Sequence, residues 1–141
     1  MQKLNNYFSS FPRKLILVDF SGALVSAFML GIVLVHWNSF FRIPINALYV
    51  LAVIPCFFAL YGLSIYAVES ANARAFLKNI AYLNLTYCIF SAAVAVFYAS
   101  RIKVAGWIYL VFEILIVLFL ARLEWKVASS ERKPSDREIH Q

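Results

Sequence analysis

VAGWIYLVFEILIVLFLA, residues 104–121, carries one charged side chain, Glu113, in eighteen positions. A helix of that length at 1.5 Å per residue reaches across most of the roughly 30 Å hydrocarbon layer of a bilayer. Three further runs of the same character precede it: Leu15 to Trp37, Asn46 to Val68 and Asn79 to Ala99. Apolar residues make up 63% of the 141-residue chain and charged residues 14%, against roughly 45–50% and about 25% in soluble domains. Water cannot solvate that much apolar surface, so the chain reads as all-α, a four-transmembrane-helix antiparallel bundle with lipid as its solvent.

The short connections at Phe40 to Pro44 and Ser100 to Lys103 require antiparallel neighbours, and a polar link, Glu69 to Lys78, joins the second and third spans. The first run follows Arg13 and Lys14 but exceeds the ~7–15 residues of a cleavable signal core, so a retained span is expected. Lys and Arg sort by side. Lys3, Arg13, Lys14, Arg74, Lys78, Arg122, Lys126, Arg132, Lys133 and Arg137 fall on one side, and only Arg42, Arg101 and Lys103 on the other. That bias predicts a multi-pass membrane protein with both termini and the middle loop in the cytoplasm. The net charge of +6 is thereby accounted for without nucleic acid, which is not an expected partner. Trp37, Phe40, Phe41, Trp107 and Trp125 lie near the span ends as interfacial anchors.

Three regions follow. Residues 1–13 form an interfacial amphipathic segment, with Leu4, Tyr7, Phe8 and Phe11 at helical spacing before Pro12. Residues 14–126 form the four-helix transmembrane domain. Residues 127–141 are expected to form a polar, solvated cytoplasmic tail.

The informative residues are those a bilayer excludes. An acidic side chain near a helix centre costs roughly 2.5–3.5 kcal/mol to insert. Counting from the basic end, Asp19, Ser64 and Asn84 lie roughly 6–8 Å deep, and Tyr61, Thr86, Tyr87 and Glu113 roughly 10–14 Å deep. Helical spacing aligns Asp19, Gly22 and Ser26 on the first span and Phe57, Tyr61 and Ser64 on the second. It aligns Asn84, Tyr87, Cys88 and Ser91 on the third, and Gly106, Tyr109, Glu113, Val117 and Leu120 on the fourth. Turned inward, these stripes predict an intramembrane polar cluster of Asp19, Tyr61, Ser64, Asn84, Tyr87 and Glu113. No Lys, Arg or His shares that depth, so Glu113 is expected to keep its proton and donate a hydrogen bond. The alternative is that these groups serve only as interhelical glue.

Pro55, in mid-span, predicts a kink or a hinge. LVDFSGALVSA (residues 17–27) lays onto YLNLTYCIFSA (82–92), matching Asp19 with Asn84, Ser21 with Thr86 and Ser26 with Ser91. Either a parallel duplication or chance similarity between apolar helices produces such a match. Gly22 and Ser26 also form a small-xxx-small pair of the kind that mediates homodimers. Cys56 and Cys88 lack the spacing of a thiol redox or zinc site, and neither a metal nor any other cofactor is expected.

The segments Leu17 to Ala23, Ala59 to Tyr66, Ala81 to Cys88 and Phe112 to Glu124 resemble a bacterial group of small four-helix integral membrane proteins with no assigned activity. That resemblance implies the fold and a bacterial inner-membrane setting, and no chemistry. The small multidrug transporters are similar in size and also carry a membrane-embedded Glu, but theirs lies in the first helix, where this chain has Asp19. Three functions follow. The first is a non-catalytic membrane subunit or accessory protein, with the bilayer and another membrane protein as partners. The second is a small proton-coupled transporter using Glu113 and Asp19, its small-molecule ligand unspecified. The third is an enzyme acting on a lipid or quinone, ranked last because no catalytic residues can be assigned: no nucleophile–base pair is present.

Overall fold

A computed structural model of the chain describes residues 2–68 and 72–130, with the backbone alone of Ser9. The expected polar tail therefore lies outside the described residues from position 131 onward, as does part of the link between the second and third spans, residues 69–71. Among the described residues every regular element is helical. An N-terminal helix, Gln2–Ser10, precedes four spans: Pro12–His36, Ile45–Ala67, Ala73–Phe97 and Val104–Ser129. Pro12 both stops the first helix and opens the next, because a ring without an N–H is tolerated only in a helix's first turn.

Two spans are longer than their apolar runs. The third begins at Ala73 rather than Asn79 and the fourth continues to Ser129 rather than Ala121. Hydropathy marks where lipid contact ends, whereas the backbone hydrogen bonds continue into the interface. The first span contains one π-helical turn, Met29–Val33, next to the place where Gly31 lies close to the Ala52 methyl. Pro55 is buried inside a second span that stays helical from end to end.

Contacts are densest between the first and second spans and between the third and fourth. The molecule is thus two antiparallel hairpins joined along a seam. Each hairpin is closed at the basic end in the same way. The Arg13 guanidinium donates to the Tyr66 carbonyl at 2.9 Å and lies 5.1 Å over its ring, and Arg74 donates to the Ser130 carbonyl at 2.7 Å. A cation at a helix C-terminus meets both the free carbonyls and the negative end of the helix dipole. At the opposite end, Arg42 adopts a left-handed conformation (φ 53°, ψ 36°) to end a short helix, Asn38–Phe41. Asn38 donates to the Ile43 carbonyl there, and Lys103 ties the two connections together through the Phe41 and Ser39 carbonyls, each at 3.1 Å.

The interior is layered. Leu15, Ile16, Leu77, Ile80, Leu123 and Val127 form an apolar cluster at the basic end, against which Phe8 of the N-terminal helix packs. Leu30, Leu34, Ile43, Leu48, Leu51 and Leu110 form another toward the far end. The outer surface is apolar as well: Val25, Phe57, Ile89, Ile108 and Phe112 are each more than 60% exposed. Only 17% to 39% of each span's most apolar window is buried within the protein. Such a belt far exceeds the patches that water-soluble monomers expose, and it makes the chain a membrane-embedded four-helix protein.

Candidate functional site

The polar groups predicted inside the membrane gather between the two apolar clusters, on the seam between hairpins. Asn84 of the third span donates through Nδ2 to Asp19 Oδ1 of the first span at 2.8 Å. The same nitrogen lies 3.1 Å and 3.4 Å from the two carboxyl oxygens of Glu124 on the fourth span. Asp19 is 4% exposed, Asn84 5% and Glu124 0%. One amide therefore bridges two buried carboxyls drawn from opposite hairpins. Asp19 and Glu124 also lie within hydrogen-bonding reach of each other.

Charge balance decides the state of this pair. Both carboxyl oxygens lie within 3.1 Å of one nitrogen and are thus no more than about 6 Å apart. Two full charges at that separation repel by about 3 kcal/mol even at an effective dielectric of 20. No cation lies against them among the described residues, and burial adds a desolvation cost to every charge. A proton shared between Asp19 and Glu124 removes the repulsion and supplies the donor their mutual hydrogen bond requires.

Toward the membrane centre, the Tyr87 hydroxyl donates to Glu113 Oε1 at 3.0 Å, and the Ser26 hydroxyl faces the same carboxyl from the first span. Glu113 Oε2 has no hydrogen-bond partner among the described residues, and neither does the fully buried Ser91 hydroxyl. A small cavity connects the two polar groups. Asp19, Ser26, Pro55, Phe58, Asn84 and Tyr87 help line it, and its volume of about 40 Å³ is room for one or two waters beside these polar groups in an otherwise largely apolar wall.

Of the six residues predicted to form the cluster, Asp19, Asn84, Tyr87 and Glu113 are brought to this region as two hydrogen-bonded groups. Tyr61 is half-buried and packs on the apolar cluster at the basic end. Ser64 stands apart from the cluster: it is exposed and donates to the Leu60 carbonyl of its own helix at 2.7 Å. The second span turns a different face inward, formed by Ala52, Pro55, Ala59 and Gly62. A methyl added at Gly22 would lie 3.7 Å from Leu120 of the fourth span, and Gly22 and Ser26 are each partly buried.

Glu124 is the residue the sequence reading missed. Its signal was present: the stripe Glu113, Val117, Leu120 continues at the next helical step to Glu124. Ending the span at Ala121 placed it outside the membrane. Asp19 and Asn84, matched in the internal sequence similarity, meet across the seam. Ser21 and Thr86, also matched, each donate to the carbonyl four residues earlier at 2.9 Å.

The fold and this site define an integral membrane protein of four helices with a network of acidic side chains buried between two hairpins. In comparisons with known proteins, no family model, no curated protein and no solved structure matches the chain.

Proposed function

We propose that the chain is a small proton-linked carrier whose cargo is a cation, with the basic end facing the cytoplasm. The observation that carries this reading is the position of Asp19, Asn84 and Glu124 on the seam between hairpins, without a cationic partner among the described residues. Carboxyls that must be neutralised by either a proton or a cation provide the competition on which exchange rests. Their place between two rigid units is where rocking of one hairpin against the other opens and closes access. The cavity beside them leads toward Glu113, which offers a second acceptor deeper in the membrane. The apolar cluster beyond it closes the path on the far side.

A second reading is favoured by the small size of that cavity: a non-catalytic membrane subunit in which the carboxyl–amide–carboxyl bridge clasps the hairpins. One experiment separates the two. Vesicles containing the full chain are adsorbed on a supported-membrane electrode and challenged with jumps of Na⁺, K⁺, guanidinium and tetramethylammonium at fixed pH. A carrier gives a transient current with at least one of these ions, and the current disappears in Asp19→Asn and Glu124→Gln at normal folded yield. Absence of current with all four ions, with folded yield falling in both variants, establishes the clasp instead.

A further inference from the structure

A groove of about 450 Å³ lies between the N-terminal helix and the last turns of the fourth span, lined by Gln2, Asn5, Arg122, Leu123 and Lys126. Every polar side chain among the described lining residues can donate a hydrogen bond, and none of these is a carboxylate. Arg122 and Lys126 are one helical turn apart and therefore project to the same side, whereas Glu124 between them faces the interior and is fully buried. Like charges at this spacing repel, and an anion bridging them turns that repulsion into attraction.

Several other basic residues at this end are already engaged. Arg13 is held by Tyr66, Lys14 lies over the Tyr7 and Phe11 rings, and Lys78 lies over Trp125. Arg122 and Lys126 have no hydrogen-bond or ion-pair partner among the described residues. The Asn5 side-chain nitrogen likewise makes no hydrogen bond among the described residues, and its oxygen is buried without a partner. The depth is set by Trp125, whose ring packs edge-on against Tyr82 at 5.1 Å. Tryptophan at a span end marks the headgroup level.

We propose that this groove binds the phosphate of an anionic lipid headgroup, with Arg122 and Lys126 supplying the charge and the Gln2 and Asn5 amides the remaining donors. A bound lipid would pin the N-terminal helix to the fourth span, across the layer that covers Glu124. The proposal is independent of the carrier reading, since it concerns a surface that the acid network does not reach.

The test uses the full chain in detergent micelles and counts retained lipid by native mass spectrometry with phosphatidylglycerol, phosphatidylcholine and inorganic phosphate as probes. Arg122→Gln/Lys126→Gln is compared with Lys14→Gln/Lys78→Gln, which removes the same charge at the same end. Phosphatidylglycerol is expected to be retained in preference to phosphatidylcholine. The groove variant should lower its retention roughly tenfold or more, as the loss of two basic contacts to a headgroup implies, while the control pair leaves retention nearly unchanged. Equal losses in the two variants would reduce the effect to general charge attraction and overturn the site. Release of the lipid by millimolar inorganic phosphate would assign the groove to free phosphate and overturn the lipid assignment.

Discussion

Replacing Asn84 with Leu removes the amide that joins the hairpins while keeping a side chain of similar size. The wild-type nitrogen serves Asp19 at 2.8 Å and Glu124 at 3.1 Å, so two contacts are lost together. Interhelical hydrogen bonds in membranes average ~0.6 and reach ~1.7 kcal/mol, and bonds to charged groups reach about 1.5–3 kcal/mol. The expected loss is therefore about 2–3 kcal/mol. Unfolding by sodium dodecyl sulfate in mixed micelles, followed by helical circular dichroism, measures the change. Thr86→Leu on the lipid-facing side of the same helix serves as control and should shift stability by less than about 0.5 kcal/mol. Combined with Glu124→Gln in a double-mutant cycle, Asn84→Leu should show a coupling of about 1 kcal/mol. Asn84→Leu as stable as the Thr86 control, with no coupling to position 124, would refute the bridge as the contact that holds the seam.

Gly106→Ala should cost about 1–3 kcal/mol by overpacking and lower folded yield, because a methyl there would lie 2.7 Å from Ile102 Cγ2 and 2.8 Å from the Phe41 carbonyl oxygen; the same detergent titration reads it. Ser64→Ala should change stability by less than about 0.5 kcal/mol, since the hydroxyl bonds only its own helix. Tyr87→Phe removes the donor to Glu113 at a cost of about 1 kcal/mol. It should also speed labelling of Glu113 by a hydrophobic carbodiimide, followed by peptide mass spectrometry.

The four spans were legible because lipid imposes a length and a hydropathy that few other folds require. The third-span stripe was legible too: Asn84, Tyr87, Cys88 and Ser91 are all buried, since a run of polar and small residues at helical spacing has only one face that lipid does not penalise. The same logic misplaced the second-span stripe. Phe57 and Ser64 face outward because a serine hydroxyl can satisfy itself on the preceding turn. The contact face there was written in small residues, Ala59 and Gly62, that let backbones approach. Glu124 was hidden by the charges beside it: Arg122 and Lys126 signal the membrane border, and a border residue is assumed to be wet. Only the fold shows that the helix continues and turns this carboxyl inward. The π-helical turn at Met29–Val33 has no composition cue in the sequence. It depends on how the first span meets the second.

The account rests on a proton held between the carboxyls of Asp19 and Glu124. Infrared difference spectroscopy of the full chain in lipid at neutral pH, comparing wild type with Asp19→Asn and Glu124→Gln, observes that proton through the carbonyl stretch of a protonated carboxyl. The account expects a protonated-carboxyl band in the wild type that is lost or shifted in both variants. Spectra showing only ionised carboxylate at both positions would contradict it.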